Sequence, residues 1–303
     1  GEPRKLAVVV DERGHEAEFV ENELILMTNN QAAVDAFVTR WQGEVLSTVD
    51  PAGSGLDFPK VHLIRIDTAL GDPARLEEDI LKIDPEARGS SRVSSEAGLR
   101  LIAASAKEAA AGLLVGMNFL TDPQSLASGS TQEAPTGPTG FSWLGPGYSD
   151  NAFDWHYLNG GSIQDIGVTE AWYLLANTEK LNATVRIAII DMGFRTSGNA
   201  DMPSGWFAVS DVPGLEPTDR ESLRAGWPWH GTDVACAAFG IPDNGYGGAG
   251  PAGPVADPIL IYSMGDYWSI IVTLPQAAAL GADIVNLSTF LCIPAAISWN
   301  LWP

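Results

Sequence analysis

Residues Val185 to Gly193 read Val-Arg-Ile-Ala-Ile-Ile-Asp-Met-Gly, and no other stretch restricts the fold so tightly. An apolar run of this length, rich in β-branched residues and stopped by Asp and Gly, is expected as a strand buried on both faces of a parallel sheet. Asp191 then stands at the carboxyl end of that strand, where ligands and reacting groups gather in open α/β sheets. A carboxylate placed there loses water unless a cation or a hydrogen-bond donor meets it, so a partner is to be sought elsewhere in the chain. The best candidate is His230, in Trp-His-Gly-Thr-Asp-Val-Ala at 229–235.

The rest of the carboxyl half, 151–303, has the alternation such a sheet requires. A helix is expected from about Val168 to Ala176, ahead of the strand that ends at Asp191. A loop rich in Gly, Pro and Asp runs on to Trp229. His230-Gly231-Thr232 opens a helix through Phe239, which Gly240 stops. The Gly-rich run from Asn244 to Gly253 leads into a strand over Pro258 to Ser263. A helix follows with Ile270, Ile271, Leu274, Ala277, Ala278 and Leu280 on its apolar side, then another buried strand from Ala282 to Ser288. This order defines an α/β fold, a parallel sheet with helices on both faces.

The amino-terminal half reads differently. Residues 1–20 are expected as a polar lead-in with one short strand, Leu6 to Val10. Residues 21–98 carry the order β-α-β-β-α-β of a small ferredoxin-like α+β domain. Its elements are a strand over Glu23 to Thr28, a helix over Gln31 to Gln42, and strands over Glu44 to Val49 and Val61 to Asp67. A helix begun by Asp72-Pro73 and ended by Asp84-Pro85 follows, then a strand from Arg88 to Ser94. Residues 99–150 supply an Ala-rich helix, Gly98 to Leu114, and a linker from Thr121 to Asp150. That linker is too poor in aliphatic side chains to offset its ordering entropy.

With 303 residues, 45% of them hydrophobic, the chain can bury cores for about two domains. A net charge of −21 argues against nucleic acid as a partner, because phosphate binding needs clustered Lys and Arg. No apolar run approaches the ~18 residues of a membrane span, so none is expected. Cys236 and Cys292 make neither a disulfide framework nor a metal pattern and read as small buried residues. The sequence opens at Gly1 without a signal stretch, so any targeting segment is expected to have been removed or not included.

Asp191 and His230 lie 39 residues apart, one at a strand end and the other at a helix start. A carboxylate so placed can accept from one imidazole nitrogen while the other faces a crevice, which holds a His in one tautomer as a general base. The residues around the pair resemble those of the subtilases, the subtilisin-like serine proteases. Ala-Ile-Ile-Asp-Met-Gly at 188–193 is similar to the family's aspartate motif, and His-Gly-Thr-Asp-Val-Ala at 230–235 to its histidine motif. Gly-Ala-Gly-Pro-Ala-Gly at 248–253 resembles the glycine-rich segment that follows. Gly-Ala-Asp-Ile-Val-Asn-Leu-Ser at 281–288 resembles the strand whose edge lines the substrate cleft. Trp155 to Asn159, followed by Ala171-Trp172, is similar to the entry into the catalytic domain.

The resemblance implies a secreted serine endopeptidase that cuts protein or peptide substrates with an Asp-His-Ser triad. Asp191 would orient the imidazole, and His230 would take the proton from the nucleophile. Leu287, Ser288 and Thr289 would offer backbone groups to an extended peptide. Asn244, with carbonyls near Tyr246 and Gly248, falls where some relatives hold calcium. The α+β unit would be the inhibitory propeptide, lying in the cleft until it is cut away.

The departures are as informative. No Gly-Thr-Ser, the family's nucleophile motif, occurs in the 303 residues. After the histidine motif the asparagines are Asn244, Asn286 and Asn300, none in the context of the oxyanion residue. Met192 and Phe194 flank the aspartate motif, Cys236 replaces a usual Gly, and Phe290 stands where the cleft strand turns at Gly. The expectation is therefore an amino-terminal portion of a subtilase, truncated before its serine and inactive alone. The competing reading is a catalytically dead module that binds peptides or a protease. A nucleotide-binding reading fails because the run 245–253 follows a helix and precedes a strand, and no Gly-Lys-Ser/Thr is present.

Overall fold

The computed structural model describes residues 4–11, 13–86, 91–123, 168–181, 184–210, 214–223, 227–242, 244 and 246–290. They fall into two compact units, one taking in Gly1–Asp122 and Gly265–Gln276, the other Pro123–Met264 and Ala277–Thr289.

The first unit is organised on β2 (Glu16–Met27), a strand of 12 residues that is paired antiparallel along both edges. One edge carries β6 (Leu114–Phe119). The other carries β1 (Leu6–Val10) against residues 16–20 and β4 (Val61–Arg65) against residues 23–27. Phe19 marks the division, with Ala7 opposite on one side and Phe119 on the other. β3 (Glu44–Val49) extends the sheet from β4, and β5 (Arg92–Val93) from β1.

Alternation along β2 separates two cores. Leu24 and Leu26 face Val34 and Phe37 of α1 (Gln31–Arg40) and Leu101 and Ala104 of α3 (Glu96–Ala110). Ile25 points the other way, with Val61 and Leu63, toward Trp268. α1 starts where it does because the Asn30 side chain accepts from the N–H groups of Ala32 and Ala33.

The order β-α-β-β-α-β is present, but two of its elements are not the expected ones. Its strands lie side by side as β3-β4-β2-β6, so α3 and β6 complete it. The expected helix, α2 (Leu76–Ile83), exists, yet Arg92–Val93 pairs with β1 and not with β2. β6 reads Leu-Val-Gly-Met-Asn-Phe, and an interior Gly and Asn, both disfavoured in strands, hid it. The expected strand Leu6–Val10 is present and pairs with residues 16–20, which begin β2 where a polar lead-in was expected, and positions 20 and 98 both fall inside this unit.

The second unit holds a four-stranded, wholly parallel sheet. Its strands are β7 (Val185–Asp191), β8 (Phe207–Ser210), β9 (Ala256–Tyr262) and β10 (Ile284–Leu287), side by side as β10-β7-β9-β8. β7 is central and covered on both faces. Ile187 and Ile189 pack with Val234, Ala235 and Phe239 of α5 (His230–Phe239), whereas Ala188 and Ile190 pack with Ile259, Ile261 and Ala277. Each fully buried Ile contributes about 1.5–3 kcal/mol. α4 (Val168–Asn177) is held by buried Trp172, whose Nε1 donates to the Pro251 carbonyl at 2.7 Å.

The parallel α/β reading therefore stands, with β8 added inside the predicted loop. The expected linker beyond 123, the segment Trp155 to Asn159 and Cys292 lie outside the described residues. Among the described residues no helix is long and apolar enough to cross a membrane.

Candidate active site

Asp191 is the last residue of β7, two positions on from Ile189, and so points to the face that α5 covers. His230 is the first residue of that helix. Their side chains meet, Asp191 Oδ1 lying 2.8 Å from His230 Nδ1, and both residues are buried.

The local backbone explains why they coincide. After Asp191 the chain turns at Gly193, whose φ of +84° suits glycine and whose absent Cβ would stand 2.1 Å from the Pro228 carbonyl oxygen. The turn lets Gly231 and Thr232 donate their N–H groups to the carbonyls of Met192 and Gly193. These are first-turn donors, and the strand exit supplies acceptors for them, with the Thr232 N–H shared between the carbonyls of Gly193 and Trp229. Gly231 is needed for the same approach, because a Cβ there would lie 2.8 Å from the Phe194 ring and 3.1 Å from Asp191 Cβ. Thr232 closes the join by accepting from the Arg195 N–H at 2.7 Å.

Burial pushes the Asp191 carboxyl above its ordinary range, against the pull of His230 and of the Met192 N–H that donates to Oδ1 at 2.7 Å. Oδ2 is buried and accepts no hydrogen bond from the described residues. The pair is thus a carboxylate held in a dry setting against one ring nitrogen. It fixes the imidazole orientation and strengthens any positive charge that forms on the ring. Trp227 stands edge-on to that ring, with centroids 6.4 Å apart.

The expected substrate edge ends at the same level. Leu287 pairs with Ile190, so Ser288 and Thr289 follow at the carboxyl end of the sheet, where Asp191 closes β7. Among the described residues β10 pairs only with β7, and Ile284, Val285 and Leu287 are exposed. The side chain of Phe290 lies outside the described residues.

Asn244, Tyr246 and Gly248 are drawn together by a residue the sequence did not flag. Asp201, buried to 1% exposure, accepts from Asn244 Nδ2 at 3.2 Å and from the Gly248 N–H at 3.1 Å. Asn244 Oδ1 accepts from the Tyr246 N–H, so both ends of that amide are engaged. Glycine is required around the carboxylate, since a Cβ on Gly247 would lie 2.2 Å from Asp201 Oδ2. The hydrogen bonds described on the Asp201 carboxylate come from N–H groups and close this loop, whereas calcium takes a cage of oxygen atoms. Among the described residues no three His, Cys, Asp or Glu side chains group as metal ligands. The Asp201 contact spans 43 residues and has no local sequence signal. Cys236 is a free thiol pushed up to about 11 by burial, which makes it a poor nucleophile.

No protein-family model matches the sequence, and no curated protein matches it. Among solved structures, the chain is similar to fervidolysin from Fervidobacterium pennivorans, a keratinolytic enzyme related to subtilisin. The identity is 14% and the TM-score 0.49, over 93% of this chain and 38% of that one. The chain therefore spans well under half the length of that structure, and a likeness at this level defines neither a fold nor an activity.

Proposed function

We propose that Asp191 and His230 are the acid–base half of an Asp-His-Ser triad, and that the chain is a portion of a subtilisin-like serine endopeptidase. The observation that carries this reading is the 2.8 Å contact between Asp191 Oδ1 and His230 Nδ1 at the carboxyl end of the central parallel strand. In this role Asp191 keeps the Nδ1 proton on its own side of the ring. Nε2 then takes the nucleophile's proton during attack and delivers it to the leaving amine. An extended peptide would lie along Leu287, Ser288 and Thr289, and the α+β unit would serve as inhibitory propeptide of a secreted zymogen.

A general base without a nucleophile or oxyanion donors has little to activate, so the 303 residues alone are expected to be inactive. The test is casein hydrolysis by the chain expressed with and without the coding sequence that follows Pro303. Activity in the longer form, lost in His230→Ala, supports the proposal. Silence in the longer form supports an inactive peptide- or protease-binding module instead, and activity in the shorter form contradicts the assignment of roles.

A further inference from the structure

Resting on that reading of the site, we propose that Arg195 and Trp229 form a subsite that selects an acidic side chain near the bond to be cut. The guanidinium Cζ of Arg195 lies 5.6 Å from the centroid of the Trp229 ring, within cation–π range. Both residues are fixed to the turn that carries His230. The Arg195 N–H donates to Thr232 Oγ1 at 2.7 Å, and the Trp229 carbonyl accepts from the N–H groups of Thr232 and Asp233 at 2.9 and 3.1 Å. Trp227 borders the same place, its ring edge-on to the imidazole. Trp227 and Trp229 are half-buried and Arg195 is exposed, so the shelf is open to a ligand.

The charges favour a carboxylate as occupant. Arg186, in the same unit, pairs with Asp257 at 3.0 Å, whereas Arg195 makes no ion pair among the described residues. Asp219 feels the charge of Arg195, but its Oδ1 already accepts from the N–H groups of Thr196 and Ser197 and from Ser197 Oγ. A guanidinium within cation–π range of an indole is restrained by it, and its N–H donors can still meet a carboxylate. With a net charge of −21 the chain repels acidic peptides at long range. The preference must therefore come from this contact, and should persist at physiological salt, where the Debye length is about 8 Å.

The test uses fluorogenic peptides that differ by Glu or Gln at each position flanking the scissile bond, cleaved by the longer polypeptide. Isothermal titration of the 303-residue chain with the same peptides reads binding separately from cleavage. At one position Glu is expected to exceed Gln roughly tenfold in kcat/KM and in affinity. That ratio should fall to about one in Arg195→Gln and only partly in Arg195→Lys, which keeps charge without the planar fork. Preference in titration without any cleavage would keep the subsite and overturn the protease reading. Equal kcat/KM for the two peptides, equal or absent binding where nothing is cleaved, or a Glu preference that survives Arg195→Gln, overturns the subsite.

Discussion

His230 meets Asp191 through Nδ1, at 2.8 Å, because the strand that ends in Asp191 and the helix that begins with His230 share backbone hydrogen bonds from Gly231 and Thr232. The contact is therefore a property of the strand–turn–helix join and not of two flexible side chains. Substitutions within it should separate chemistry from stability.

Asp191→Asn is the first such separation. Proteolysis in the longer polypeptide should fall about 10⁴-fold, the cost of holding the imidazole in the wrong tautomer. Stability should move the other way. Because burial raises the folded-state pKa of Asp191, the unfolded chain gives up this proton first as pH rises. The folded protein keeps its full stability below the ordinary value of 3.8 and loses part of it as pH climbs through the raised value. Melting curves of wild type and Asp191→Asn across that interval should diverge in favour of the variant. A variant with the lower Tm at neutral pH contradicts the sign.

Gly193→Ala tests the join itself. A side chain at φ +84° would also press within 2.1 Å of the Pro228 carbonyl, which cannot swing aside as a side-chain tip can. Backbone conformation alone costs about 1–2 kcal/mol, and overpacking about 1–3 kcal/mol more. Urea denaturation should show a loss in that combined range, against the backbone part alone, about 1–2 kcal/mol, for Gly198→Ala, whose φ of +74° carries the same strain but where a Cβ meets nothing.

Asp201→Ala should leave the Gly248 N–H without its acceptor and take one acceptor from Asn244 Nδ2, which also donates to the Ala200 carbonyl at 3.2 Å. Each unsatisfied group costs about 1–3 kcal/mol if it stays buried. Chelation with EDTA is expected to leave the Tm of the wild type unchanged, because the loop is closed by hydrogen bonds. A chelator-induced drop in Tm would restore calcium to Asn244, Tyr246 and Gly248.

In the first unit, Arg4 bridges two buried carboxylates, reaching Glu23 at 3.1 Å and Asp266 at 2.5 Å, and Asn118 Nδ2 donates to both. Arg4→Ala leaves those carboxylates without a cation. The loss expected is about 1–3 kcal/mol, discounted because the Arg4 side chain is 40% exposed. Arg4→Ala combined with Glu23→Gln should cost less than the sum of the two, as measured in a double-mutant cycle.

How much of this the sequence disclosed depends on how local each signal is. β7 and α5 were legible to the residue, since a β-branched run closed by Asp and a helix bounded by His230 and Gly240 carry their own start and stop. β6 was not, because its Gly116 and Asn118 are there for the neighbours they meet. Asn118 takes the Trp268 N–H at 3.0 Å, a contact 150 residues away. The helix of residues 76–83 was read correctly as a helix and wrongly as part of the split βαβ unit, because pairing is decided by the whole sheet. In the site, Asp191 and His230 were legible from paired motifs. Asp201 and Arg195 were not, for each acts through a contact that only the folded backbone creates.

The central claim is that His230, set by Asp191, serves as the base for a serine nucleophile, and fluorophosphonate labelling reads it most directly. The polypeptide extended past Pro303 should be labelled covalently at a serine, and His230→Ala should slow that labelling by orders of magnitude while the protein stays folded. Labelling at the same rate in His230→Ala, or none in the extended wild type, would contradict the account.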